Sequence, residues 1–213
     1  MLKRIKKILH IDEKTQSPSV FDEIENLFGS LNDEVLKLKI GEDLVELREQ
    51  IVEKISEVRK EIKDECGFIL PPVEIIDDSG IQENEFVITI RGKASRSGFL
   101  IPNINGVKVE FYETFKSVVY ENLEKLFTNE ITEKYIEEVQ KKNNWLIWNL
   151  TCKLSMTDIK TIMLDIIEKG KSINNINYIF EQIGEMVLSN GKFGECGSKH
   201  NPHFIAKQIS KHL

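Results

Sequence analysis

Hydrophobic and polar positions change their period along this chain, and each change predicts an element. Leu36, Leu38 and Ile40 alternate with Lys37 and Lys39, a period of two that predicts a strand with one buried face and one basic, wet face. Gly41 ends it. From Glu42 to about Asp64, Leu44, Leu47, Ile51, Ile55, Val58 and Ile62 recur at three- and four-residue spacing, which predicts an amphipathic helix resting on a sheet. Its other face carries Glu46, Arg48, Glu49, Glu53, Lys54, Glu57 and Lys60. Carboxylates one turn apart can serve acid–base chemistry. The interleaved Lys54, Arg59 and Lys60 instead make this a solvated face. After Cys66-Gly67, the stretch Phe68–Ile76 predicts a second strand, with Pro71 and Pro72 confining it to a strand start or an edge. Phe86, Ile88 and Ile90 predict a third strand closed by Gly92, and the short Asp77–Gly80 turn pairs strands two and three as a hairpin. Lys93 to Gly106 reads as a loop, and Val107 to Phe111 as one more strand.

From Glu113 the period is helical. Phe115, Val118, Val119, Leu123, Leu126 and Phe127 form one face, and Thr128 or Asn129 caps a helix carrying Ile131, Tyr135, Ile136 and Val139. Ser155-Met156-Thr157-Asp158 opens a helix through Ile159, Ile162, Met163, Ile166 and Ile167, with Gly170 placed as a C-cap. Ser172 is expected to cap the next helix, from Ile173 to Val187, stopped at Asn190-Gly191. Gly194 to Lys199 reads as a loop, and Asn201-Pro202 opens a last short helix. At the other end, Leu2, Ile5, Ile8 and Leu9 among lysines predict a short terminal helix, Asp12–Ser19 a linker, and Phe21, Ile24, Leu27 and Phe28 a short helical face. The layout predicts an α+β fold: a small mixed α/β subdomain with one long amphipathic helix, then a helical bundle. The expected division is 1–29 as an N-terminal helical segment and linker, 30–112 as the α/β subdomain, 113–190 as the helical subdomain, and 191–213 as a C-terminal loop and short helix.

Charge narrows the function. The net charge of -6 and pI of about 5.4 argue against the broad positive field that nucleic-acid binding needs. No apolar run approaches the ~20 residues of a membrane span. Three cysteines, Cys66, Cys152 and Cys196, form no disulfide framework and fit a reducing cytoplasm. Cys66 and Cys152 read as small buried apolar residues.

Chemistry is sparse. There is no phosphate-binding glycine loop, no H-E-x-x-H and no G-x-S-x-G. Cys196, His200 and His203, with His212 beyond, carry zinc-type donors or a thiol–imidazole pair, but their spacing matches no standard zinc pattern and no rigid pocket is predicted around them. No catalytic, metal or cofactor residue is assigned. Lys93, Arg96 and Lys108 around the Gly/Ser-rich stretch could hold an anion, and single charges on a loop read as solvated. Trp145 and Trp148, three apart on a helix, are expected to pack in the helix core rather than form an exposed docking pair.

Two segments carry a resemblance. The first is Glu65-Cys66-Gly67-Phe68-Ile69-Leu70-Pro71-Pro72-Val73-Glu74-Ile75, then Asp77-Asp78, then Asn84-Glu85-Phe86-Val87-Ile88-Thr89-Ile90-Arg91-Gly92. The second is Leu164 to Ile176, with its helix, its Glu168-Lys169-Gly170 turn and the Ser172-Ile173 start that follows. Together they resemble the FHIPEP family, the export-gate proteins of flagella and type III secretion systems, over roughly Val35 to Leu188. The resemblance implies a non-enzymatic cytoplasmic module for protein export or ring assembly, with export-apparatus components or further copies of itself as partners. It also implies a truncated form lacking the family's membrane domain and two of its subdomains, and it designates no docking residue. An adaptor or regulatory protein using the same scaffold outside secretion is the alternative.

Overall fold

The computed structural model describes residues 35–101, 107–188 and 201–213. The terminal helix, linker and Phe21–Phe28 face, the Asn190-Gly191 stop and the Gly194–Lys199 loop lie outside the described residues. Among the described residues the architecture is α+β: a four-stranded mixed sheet and eight α-helices.

Strand β1 (Leu36–Ile40) alternates buried and half-buried residues as its period demands, and Leu36, Leu38 and Ile40 are fully buried. After Gly41 the chain makes a 3-10 turn, Glu42–Leu47, and then the regular helix α1, Arg48–Cys66. The stripe Ile51, Ile55, Val58 and Ile62 is buried. Helix α1 stops where Gly67 takes φ 76°, a left-handed cap that glycine adopts without a Cβ penalty. Strand β2 (Val73–Asp77) begins directly after the proline pair, which removes two backbone donors just before the ladder. Strand β3 spans Glu85–Ile90 and strand β4 Lys93–Phe99.

The strand order β2-β1-β3-β4 corrects the expected pairing. Strands β2 and β3 are not a hairpin, because β1 lies between them. β1 pairs parallel with β2, Ile40 opposite Asp77, and antiparallel with β3, Ile40 opposite Phe86. A parallel neighbour needs a long crossover, and α1 is that crossover. The hairpin is β3–β4, turned by Arg91 at φ 50° and Gly92 at φ 74°. Lys93–Phe99, expected as loop, is therefore an edge strand whose side chains are exposed or half-buried.

Helix α2 covers Val107–Glu121, so the strand expected over Val107–Phe111 is helix instead. Phe111, Phe115 and Val118 are buried on one face at spacings of four and three. A four-residue helix α3, Leu123–Leu126, leads to α4, Asn129–Lys142. Thr128 caps α4, its hydroxyl accepting from the Ile131 N–H at 3.2 Å. Helix α5 covers Asn144–Thr151 and α6 Met156–Glu168. Ser155 and Asp158 form a complete capping box at the start of α6, and Gly170 at φ 69° ends it. Helix α7 runs Ile176–Leu188, starting later than expected. Ser172 accepts from the Asn174 N–H in a turn, and Asn175 accepts from the Tyr178 N–H. Helix α8, Pro202–Ile209, is capped by Asn201.

One continuous apolar core joins sheet and helices. Its seam is aromatic. Phe68 stacks on Phe127 at 5.3 Å between ring centroids, and Phe127 on Tyr135 at 5.9 Å. Phe86 of β3 meets Phe111 of α2 edge-on at 5.3 Å.

Candidate protein-interaction surface

The segment Gly67–Leu70 is where the two halves lock together. Tyr135 of α4 is fully buried; its hydroxyl donates to the Gly67 carbonyl at 2.8 Å and accepts from the Ile69 N–H at 3.1 Å. Burial pushes the Tyr135 phenol well above its ordinary range, keeping it neutral. The Ile173 N–H donates to the Cys66 carbonyl at 2.9 Å, and the Asn174 amide to the Asp64 carbonyl at 3.1 Å. A side chain on Gly67 would come within 2.6 Å of the Asn174 nitrogen. The Cys66-Gly67-Phe68 motif therefore serves assembly of the core. Cys66 is buried, and burial raises its thiol pKa, which makes it a poor nucleophile.

Beside this junction, Tyr120 donates to Glu65, and Lys116 bridges Glu61 at 2.6 Å and Glu65 at 3.4 Å, tying α2 to α1. The Tyr120 hydrogen bond holds the Glu65 carboxyl below its ordinary range against a small burial effect, with Lys116 adding to it. Arg96 of β4 takes both oxygens of Glu121, at 3.0 and 2.8 Å. It is thus committed to an ion pair, and the Lys108 side chain lies outside those described.

A cleft of about 840 Å³ opens between the β3–β4 turn and the helices, lined among others by Lys37, Arg91, Thr128, Glu130 and Lys160. Arg91 donates through Nε to the Lys125 carbonyl, and Lys160 through Nζ to the Glu124 carbonyl. Burial and the neighbouring Arg91 push the Lys160 ammonium below its ordinary range, with Glu124 opposing. The two cations cap the last carbonyls of α3.

Cys196 and His200 lie outside the described residues. The ring of His203 sits 2.8 Å from an Asp165 oxygen, so this histidine is bound to an α6 carboxylate at the start of α8. Among the described residues no group of three or more His, Cys, Asp or Glu side chains could hold a metal ion, and no helix is long and apolar enough to cross a membrane.

The tryptophans contradict the expectation of core packing. Trp145 and Trp148 are each 65% exposed, while Leu146, Ile147 and Leu150 supply the buried face of α5. Cys152, expected buried, is exposed as well. The helical period could have separated these residues, because 146, 147 and 150 share one side and 145, 148 and 152 the other.

A family model described as the FHIPEP family matches residues 3–110. No curated protein matches the sequence. Among solved structures, the Chlamydia pneumoniae CdsV protein aligns with a TM-score of 0.67 at 12% identity, covering 84% of this chain and 65% of its own. Nonameric EPEC SctV-C aligns with a TM-score of 0.65 at 14% identity, covering 84% and 65%. The nonameric EscV cytosolic domain from the type III secretion system aligns with a TM-score of 0.62 at 15% identity, covering 84% and 63%. The chain spans under two thirds of the length of these proteins, and at such identities the likeness is one of fold.

Proposed function

The chain belongs to the FHIPEP family, and from that premise we propose that it is a non-enzymatic protein-interaction module of the export-gate kind, which self-associates in the cytoplasm and contacts components of a protein-export apparatus. One observation carries the reading. The likeness to export-gate cytosolic domains runs through both the sheet and the helical half, 84% of this chain, and two of those relatives are described as nonamers. A fold alone does not license a function. The weight therefore also rests on the surface: exposed tryptophans, a carboxylate-rich helix face and polar groups engaged in structural pairs, with no nucleophile, base and orienting group brought together among the described residues.

The test is solution mass by light scattering at rising concentration and across salt. Mass that climbs with concentration toward a multi-copy assembly is the expected result. A strict monomer at every concentration removes self-association and turns the reading to an adaptor that binds a different protein.

A further inference from the structure

The cleft beside the β3–β4 turn gathers positive charge in a chain whose net charge is -6. Lys37, Arg91 and Lys160 line it, and the one acid among its described lining residues is Glu130, in the first turn of α4. Lys37 is shared with Glu74 at 2.8 Å. Arg91 and Lys160 are held differently. Among the described residues each side chain is bound to a backbone carbonyl, that of Lys125 at 3.0 Å and that of Glu124 at 3.3 Å, and neither is ion-paired with a carboxylate. Arg91 depresses the half-buried Lys160 ammonium more than Glu124 restores it. Two neighbouring cations resting on carbonyl dipoles leave a charge that a bound anion would neutralise. The turn itself points the same way. Its two residues both need positive φ, the geometry that Asn-Gly favours. Arg91 takes φ 50° there instead, at a cost in backbone strain, and supplies a guanidinium that asparagine would not.

We propose that this cleft binds a small phosphate-bearing molecule, its phosphoryl oxygens taken by the Arg91 guanidinium and the Lys160 ammonium. The Nε of Arg91 is spent on the Lys125 carbonyl, which fixes the guanidinium and leaves its two Nη groups, the planar fork that matches phosphate oxygens. Lys160 gives one of its three donors to the Glu124 carbonyl and keeps two. Helix α4 opens on the same cleft. The Thr128 hydroxyl takes the Ile131 N–H, while the N–H groups of Asn129 and Glu130 have no partner within the helix and add donors for an anion. The volume, about 840 Å³, is that of a small-molecule site. None of the described lining residues is aromatic, so nothing there stacks on a base, and the group recognised is the phosphoryl end. This site does not depend on self-association and is tested without it.

Pyrophosphate titrated calorimetrically into the full chain at low salt is expected to saturate one site per chain. Three full-length variants locate it, each checked for folding by circular dichroism. Arg91→Asn suits the turn and removes the guanidinium, and Lys160→Gln removes the ammonium. Each is expected to weaken binding about tenfold or more, the worth of a hydrogen bond to a charged group. Lys93→Gln removes an exposed charge from the next position of the chain, outside the lining of the cleft, and is expected to stay within about twofold of the parent. Adenosine diphosphate is expected to bind about as tightly as pyrophosphate, because nothing in the cleft holds the base.

A folded parent that gives no saturable heat with pyrophosphate overturns the site. Binding that survives both Arg91→Asn and Lys160→Gln overturns it as well, since the anion then sits elsewhere. Equal losses in all three variants mean diffuse attraction to positive charge and overturn it too. Adenosine diphosphate binding far more tightly than pyrophosphate overturns the ligand class, because the base is then what the cleft reads.

Discussion

Tyr135 shows how a single hydroxyl joins two halves of a molecule. It is fully buried, and both its bonds go to the backbone of the Gly67–Ile69 segment. Replacing it with phenylalanine keeps the ring stack on Phe127 but leaves a buried N–H and a buried carbonyl unpaired. At about 1–3 kcal/mol for each orphaned group, Tyr135→Phe is expected to destabilise by about 2–4 kcal/mol, read as a lower urea midpoint at unchanged slope. The tryptophans are the opposite case: Trp148→Ala, at an exposed site, is expected to stay within about 0.5 kcal/mol of the parent in the same measurement.

The Glu65 pair sets a pH dependence with a definite sign. Hydrogen bonding to Tyr120, then Lys116, lowers its folded pKa from the ordinary 4.5. A depressed carboxylate contributes stability fully present above the ordinary value and lost as pH falls through the folded one. The pair is largely solvated, so the effect is small. Stability measured from pH 7 downward is expected to be level to about pH 5 and to fall below it. Tyr120→Phe is expected to make that acid limb shallower, and an unchanged limb would contradict the assignment.

At the scale of elements, what the sequence made legible follows from how strongly each residue's surroundings constrain it. The strand β1, the stripe of α1 and the Ser155–Asp158 capping box were readable because burial on one face imposes a period and an orphaned helix end imposes a cap. Ser155→Ala removes that cap and is expected to cost about 1 kcal/mol of unfolding free energy. Strand β4 was not readable, because an exposed edge strand has no apolar alternation to betray it; Lys93, Ala94 and Ser95 are all exposed. Val107–Phe111 was misread because V-K-V-E-F fits period two as well as the four-residue spacing that continues to Phe115. The β2–β3 hairpin failed because a short polar loop tells which strands follow each other in the chain and not which lie side by side; α1 carries the chain so that β1 is inserted between them. The exposure of Trp145 and Trp148 was missed for a simpler reason. Two large apolar rings one helical turn apart look like core unless the competing face, Leu146, Ile147 and Leu150, is weighed against them.

At the scale of the whole molecule, the pieces act as one body because the core is continuous across the seam of Phe68, Phe127 and Tyr135. Gly67 is the tightest point of that seam. Gly67→Ala forces a Cβ to within 2.6 Å of the Asn174 backbone at a left-handed φ, and is expected to destabilise by about 1–3 kcal/mol. Because the seam couples both halves, this variant is expected to lower one cooperative transition rather than split it in two.

The most direct test of the account is native mass spectrometry of the full chain over a concentration series. The account predicts a monomer giving way to a discrete closed assembly of one stoichiometry, with few intermediates, because ring closure adds a contact at no cost in copies. A monomer alone across the series, in a protein that circular dichroism shows to be folded, would contradict it.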